Sequence, residues 1–267
     1  KIANEVYQAG FENVDFPQKN QTANIINKWV EKQTANKIQN LINPDNLDDL
    51  TALILVNALY FKGTWDSGFF GSATKKKKFY KTAQDVVEVD TMHDGNKACG
   101  YYENKELNAK FLKLPFLGKN ISTVLVLPND KDGIAKLESQ VDKVFVQHHF
   151  QPKILKVATP KFKIESATDF TSILKNLGVR RAFINGEADF SGMVNDSENL
   201  YINSVIQKTF IDVDEKGVEA AAASFVEMLF DSALVASGEF IADHPFIFYI
   251  EFNNLILFAG RVSAPEQ

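Results

Sequence analysis

With 267 residues, 45% of them hydrophobic and 24% charged, the chain has ordinary globular composition and is long enough to bury a sizeable core. Its formal net charge of -5 leaves no global basic field to favour nucleic acid, and no apolar run reaches the length of a membrane span. Cys99 is the only cysteine, so no intrachain disulfide can form, and His93, His148, His149 and His244 offer one adjacent pair, too little for a metal site. The 22 Phe against 2 Trp and 7 Tyr predict a core built largely on phenylalanine.

In chain order, Gln21 to Ile42 carries apolar residues at near-helical spacing (Ala23, Ile25, Ile26, Trp29, Val30, Ala35, Ile38, Leu41), and Asn43–Pro44–Asp45 ends it. Leu53 to Phe61 is a nearly continuous apolar run, expected as a strand buried on both faces. Asn57 inside that strand needs a hydrogen-bond partner. Lys75 to Lys78, with Lys81, form a basic run that reads as a solvated turn between outer strands. Phe111 to Pro128 is apolar and alternating, Asn129–Gly133 turns the chain, and Ile134 to Phe150 is expected to be helical. Ile154 to Ile164 alternates around Pro160, as an edge strand can. Phe170 to Leu177 is a helix stopped by Gly178, and Tyr201 to Val213 alternates strongly as a strand. Two apolar runs, Pro245 to Ile250 and Ile256 to Val262, split by Asn253–Asn254, suit a hairpin. Helices and strands interleave without βαβ rhythm, which predicts one mixed α+β domain over residues 1–267.

The most informative stretch follows the strand that ends at Val213. Glu215–Lys216–Gly217–Val218–Glu219 leads into Ala220, Ala221, Ala222, Ala223 and Ser224. An alanine-rich helix is one reading. The other is a segment built to move, because small side chains slide between packed strands with little steric cost and little entropy to lose.

A series of landmarks then resembles the serpin family over essentially the whole chain. Leu55 to Trp65 (LVNALYFKGTW) looks like the family's central-sheet strand that ends at the breach, with Trp65 packed beneath the insertion point. Lys110 to Phe116, Leu125 to Pro128, Pro160–Lys161–Phe162, Leu177–Gly178–Val179, Ala188 to Met193, Asp243 to Phe248 and Leu257 to Val262 are similar to later family segments, in family order. The resemblance implies a large, mostly antiparallel central sheet, further sheets, surrounding helices and an exposed reactive-centre loop over about residues 215–239. It also implies that the N-terminal third of the family fold is not in this chain.

The mechanism implied is that of a suicide substrate. A serine or cysteine protease cleaves the loop, is held as an acyl-enzyme, and is carried off as the loop enters the sheet as a new strand. Glu215, Gly217, Val218, Glu219, Ala220 to Ala223 and Ser224 then form the hinge, with no Pro or Arg to block it. Counting seventeen residues from Glu215 inclusive reaches Asp231, so the scissile bond is expected at Asp231–Ser232, with Phe230 and Leu234 as competing positions. An acidic residue there suits a protease with a basic specificity pocket; Phe230 would suit a chymotrypsin-like one. Gln207 stands where many relatives carry a shutter His, so an Asn57–Gln207 hydrogen bond is expected.

The style of the motifs is most similar to arthropod haemolymph serpins, implying a secreted monomeric inhibitor of a protease cascade such as innate immunity. Sequons at Asn20, Asn120 and Asn195 agree with a secreted glycoprotein. No cofactor is implied, although Lys75, Lys76, Lys77, Lys78 and Lys81 make a heparin-like polyanion, a sulfated glycosaminoglycan, a candidate partner. The rival reading is a non-inhibitory serpin: a carrier, storage protein or chaperone. An enzyme is disfavoured, since no GxSxG, HExxH or phosphate loop occurs, and His93/Asp94 and Asp189/Ser191 read as structural pairs.

Overall fold

A computed structural model describes residues 5–6, 9–47, 51, 53–193, 200–218 and 236–265. Its strands, in chain order, begin with β1 (Leu53–Tyr60), β2 (Gly63–Thr64), β3 (Lys75–Tyr80), β4 (Val86–Asn104), β5 (Ala109–Pro115), β6 (Ile121–Pro128) and β7 (Gln151–Pro160). They continue with β8 (Phe162–Asp169), β9 (Ile202–Asp214), β10 (Gly217–Val218), β11 (Glu239–Ile241), β12 (Phe246–Phe252) and β13 (Leu255–Val262). The chain divides into two units, Lys1–Tyr60 with Glu165–Phe210, and Phe61–Ile164 with Ile211–Gln267.

In the first unit, the amphipathic N-terminal stretch forms helix α1 (Lys19–Gln33) and buries Ala23 and Val30. The helix stops nine residues before the expected Ile42. Ala35 and Asn36 take left-handed backbone angles (φ 50° and 61°), turning the chain back so that Ile38, Leu41 and Ile42 pack on the helix they were expected to extend. Asn27 locks the return, donating to Ile42 O at 3.0 Å and accepting from Ile42 N at 2.8 Å. An apolar period close to 3.6 thus survives a change of backbone, because both solutions present the same residues to one core.

Strand β1 runs parallel to β9, with Asn57 opposite Gln207 and Tyr60 opposite Phe210. It is not buried on both faces as expected. Ile54, Val56, Ala58 and Tyr60 face the α1 cluster, while Leu55 is 41% exposed and Asn57 is exposed. The helix Thr171–Asn176 follows as predicted, ending beside Gly178 at φ 100°.

The second unit is built on an eight-stranded sheet, in the order β11-β7-β4-β5-β6-β12-β13 with β3 also on β4. All its pairings are antiparallel except β11 on β7. The two-faced burial expected of β1 occurs here instead. Leu125 and Leu127 of β6 join one core with Leu112, Phe246 and Phe248, while Val124 and Val126 join another with Phe111, Ile247 and Tyr249. The phenylalanine core is real: Phe162 lies 5.9 Å from Phe246 and 5.3 Å from Phe248, ring centre to ring centre.

Three local expectations change. Residues 134–150 form two short helices, Ile134–Glu138 and Val141–Val144, not one long one, because Leu137 and Val144 each need only a single turn to reach the second core. Residues 154–164 form the ends and starts of two strands, and β7 lies between β4 and β11 rather than at an edge. Pro160 is tolerated because it is the last residue of β7. The four-lysine run is a strand, β3, and not a turn. The 19-residue β4 had no clear apolar pattern, since its sequence alternates between a core face and a polar one and changes phase midway. The predicted hairpin is β12–β13, and Asn253 and Asn254 both take positive φ (47° and 69°), as a two-residue primed turn requires.

Candidate functional site at the base of the 215 loop

At the end of β9, in the second unit, the chain folds back on itself within four residues. Asp214 Oδ1 accepts hydrogen bonds from Lys216 N at 2.8 Å and Gly217 N at 3.1 Å, an Asx-type turn. Gly217 and Val218 then form β10, antiparallel to both β9 (Val218 opposite Val213) and β2 (Val218 opposite Gly63, Gly217 opposite Thr64). Gly217 sits at φ 136° with no room for a side chain. A Cβ there would overlap the Gly63 carbonyl oxygen and lie 2.9 Å from Thr64 Cα and Trp65 N.

Trp65 anchors the turn from below. Its backbone N–H donates to Lys216 O at 2.9 Å and its indole Nε1 to Asp214 O at 3.0 Å. The ring is 4% exposed and stacks on Phe116 at 4.5 Å and 7°. Asp66 N donates to Pro115 O at 2.9 Å and Leu117 N to Thr64 O at 2.7 Å, so this anchor is stitched to the rim of β5.

Glu215 is held at three points: its carbonyl by Phe69 N at 2.8 Å, Oε1 by the Thr74 hydroxyl at 2.7 Å, and Oε2 by Lys161 Nζ at 3.1 Å. Burial pushes its carboxyl up, but the bonds from Thr74, its own backbone and Lys161, with the Lys161 charge, outweigh this and hold it below the ordinary value of 4.5. Because the folded state holds the proton more weakly, this stabilisation is fully present above about pH 4.5 and is lost as pH falls through the lowered value. Thermal unfolding of wild type and Glu215→Gln should therefore differ most at pH 6 to 7, and the gap should close towards pH 3.

In the first unit, Asn57 Nδ2 donates to Gln207 Oε1 at 3.2 Å, between register partners of β1 and β9. The adjacent Lys208 is buried, donating to Gln39 O at 2.6 Å and pairing with Glu165.

The remaining candidates are dispersed. The pleat of β3 sends Lys75 and Lys77 to one face and Lys76 and Lys78 to the other. Lys76 pairs with Asp90 at 3.2 Å and Lys81 with Asp85 at 2.6 Å. Asn20 and Asn120 are exposed. Asn195, Glu219 to Ser224, Phe230, Asp231, Ser232 and Leu234 lie outside the described residues. The chain is described again from Ala236, and β11 begins at Glu239. Asp189 and Ser191 close a local turn (Ser191 Oγ to Oδ1, 2.7 Å), and Asp94 faces Lys97 at 3.4 Å.

Sequence reasoning missed Thr74, Lys161 and Phe69. Lys161 drew attention only as the residue between Pro160 and Phe162, and no pattern in a single sequence ties it to Glu215.

A family model for serpins, described as serine protease inhibitors, matches residues 1–265. The chain belongs to the serpin family. It is 35% identical over 268 residues to Alaserpin of Manduca sexta, covering 99% of this chain and 68% of that protein. It is 36% identical to Antichymotrypsin-2 of Bombyx mori, covering 97% and 70%. Among solved structures it is similar to Serpin48 of the insect Tenebrio molitor, with a TM-score of 0.90 and 48% identity over 99% of this chain and 70% of that one. The fold is accordingly the mixed α+β serpin fold.

Proposed function

We propose that the protein is an irreversible suicide-substrate inhibitor of a serine or cysteine protease, acting by loop cleavage, acyl-enzyme trapping and insertion of the loop as a new strand. The observation that carries this reading is β10. Two hinge residues, Gly217 and Val218, are already paired as a strand between β9 and β2, so the residues that follow would extend that pairing along β9 as the hydrogen bonds between β1 and β9 give way. Ala220 to Ala223 and Ser224 suit such an advance, since none carries a large side chain, and Glu219 would alternate outward. The names of two curated relatives, Antichymotrypsin-2 of Bombyx mori and the leukocyte elastase inhibitor of Equus caballus (37% identical), support the same activity.

The scissile bond in this reading is Asp231–Ser232, with Phe230 or Leu234 as the alternative position. The test is to mix the protein with a protease panel, look for a complex that survives SDS, and sequence the released C-terminal peptide. Val218→Arg should be cleaved at an unchanged rate but trap little or no protease; retained trapping would contradict the insertion step. Cleavage without complex by every protease would favour the carrier or storage reading; for a carrier, the support is the likeness to human thyroxine-binding globulin (27% identity, TM-score 0.86).

Secretion, with glycans at Asn20 and Asn120, and restraint of an extracellular protease cascade complete the proposal. Lys75 and Lys77, on one face of β3, are the candidate contacts for a sulfated polyanion; a similar solved structure is native protease nexin-1 with heparin (29% identity).

A further inference from the structure

Lys97 is 2% exposed, an unusual place for a lysine. The strand that carries it is distorted to put it there. Asp94 of β4 pairs with Val157 of β7, but Lys97 pairs with Leu155, so β4 holds one extra residue between them. This bulge, closed by Asn96 N donating to Asp94 Oδ1 at 2.9 Å, changes the phase of the strand. Met92 is buried before it, and Lys97 and Cys99 after it.

The ammonium finds a full set of partners. It donates to the carbonyl oxygens of Ser67 and Gly68, both at 2.6 Å, lies 3.4 Å from Asp94 Oδ2, and sits 3.9 Å from the centre of the Phe69 ring. Burial lowers its proton affinity, and the Asp94 carboxylate works against that. The next N–H of the same turn, Phe69 N, is the group that holds the Glu215 carbonyl at 2.8 Å. The turn lies so close that a Cβ on Gly68 would be 3.1 Å from that oxygen. A continuous run of contacts therefore leads from a buried cation to the first residue of the hinge.

We propose that Lys97 is a positioning residue for the loop base: its ammonium fixes the Ser67–Phe69 turn so that Phe69 N grips the Glu215 carbonyl, and this grip restrains the advance of the loop into the sheet. The second half rests on the insertion reading above. The first half does not. Thr74 and Lys161 hold the Glu215 side chain, so Lys97 governs the main-chain hold alone.

The experiment uses the full-length protein and Lys97→Met, which keeps the apolar stem and removes the charge. Amide hydrogen exchange should rise about tenfold or more at Phe69 and across residues 214–217, with β12 and β13 unchanged as an internal reference, since such openings are local. Uptake of a synthetic peptide copying residues 215–228 should also quicken. Wild-type protection at Phe69, or an equal rise in β12 and β13, would overturn the proposal. If Lys97→Met does not fold, Lys97→Gln, which keeps one donor, should show protection at Phe69 below wild type; equal protection would overturn it. Local exchange at Phe69 in a protein that takes up no peptide would support the grip and count against the insertion reading.

Discussion

Gly217→Ala should be among the most damaging single-methyl changes in this protein, lowering unfolding stability by about 2–5 kcal/mol. Two costs combine. A φ of 136° is a region L side chains rarely adopt, and the added carbon would overlap the Gly63 carbonyl while crowding Thr64 Cα and Trp65 N. None of those neighbours is the free end of a flexible side chain. All three are backbone of β2 and the residue after it, so relief requires β10 to move away from β2. Denaturant unfolding of Gly217→Ala against wild type measures the cost, with exposed Lys216→Ala as the control expected within about 0.5 kcal/mol of wild type. A Gly217→Ala protein as stable as wild type would show that β10 is not seated against β2.

Trp65→Ala should cost about 3–5 kcal/mol, the range for removing a large buried aromatic. The ring is almost wholly buried, stacks on Phe116, and donates to the carbonyl at the end of β9. Trp65→Phe separates the contributions. It keeps an aromatic face for Phe116 but loses the indole N–H, leaving Asp214 O without that donor, and should cost about 1–3 kcal/mol. If the two variants were equally destabilised, the hydrogen bond to Asp214 and not the stack would dominate the anchor. Unfolding midpoints of the three proteins at one pH decide this.

Much of the architecture could be read from residue pattern, and the failures have physical causes. The hairpin β12–β13 was legible because two left-handed residues in a row require Asn or Gly, and Asn253–Asn254 is such a pair. Strand β9 was legible from alternation. The end of α1 was not, because Ile38, Leu41 and Ile42 satisfy the helical period and also satisfy the core after the chain turns at Ala35 and Asn36. Continuous apolar runs in β1 and β6 look alike in sequence. Only β6 is buried on both faces, because it has strands on each side of it and a core above and below.

The candidate site divides along the same line. The small residues after a strong strand and Asn57 in an apolar run stand out in the chain alone, whereas Trp65 and the Asn57–Gln207 pair are named through the resemblance to the serpin family. The composition of those small residues states what kind of segment leaves β9: one with little bulk, little entropy to lose, and a glycine where the backbone must bend. What holds that segment is not local. Thr74, Phe69 and Lys161 are separated from Glu215 by 141, 146 and 54 positions, and Lys97 reaches Glu215 only through the turn at residues 67–69. Hydrogen bonds and buried charge act over a few ångströms irrespective of distance along the chain, so it took the folded sheet to show that Glu215, at the start of this segment, is clamped by both its backbone and its side chain.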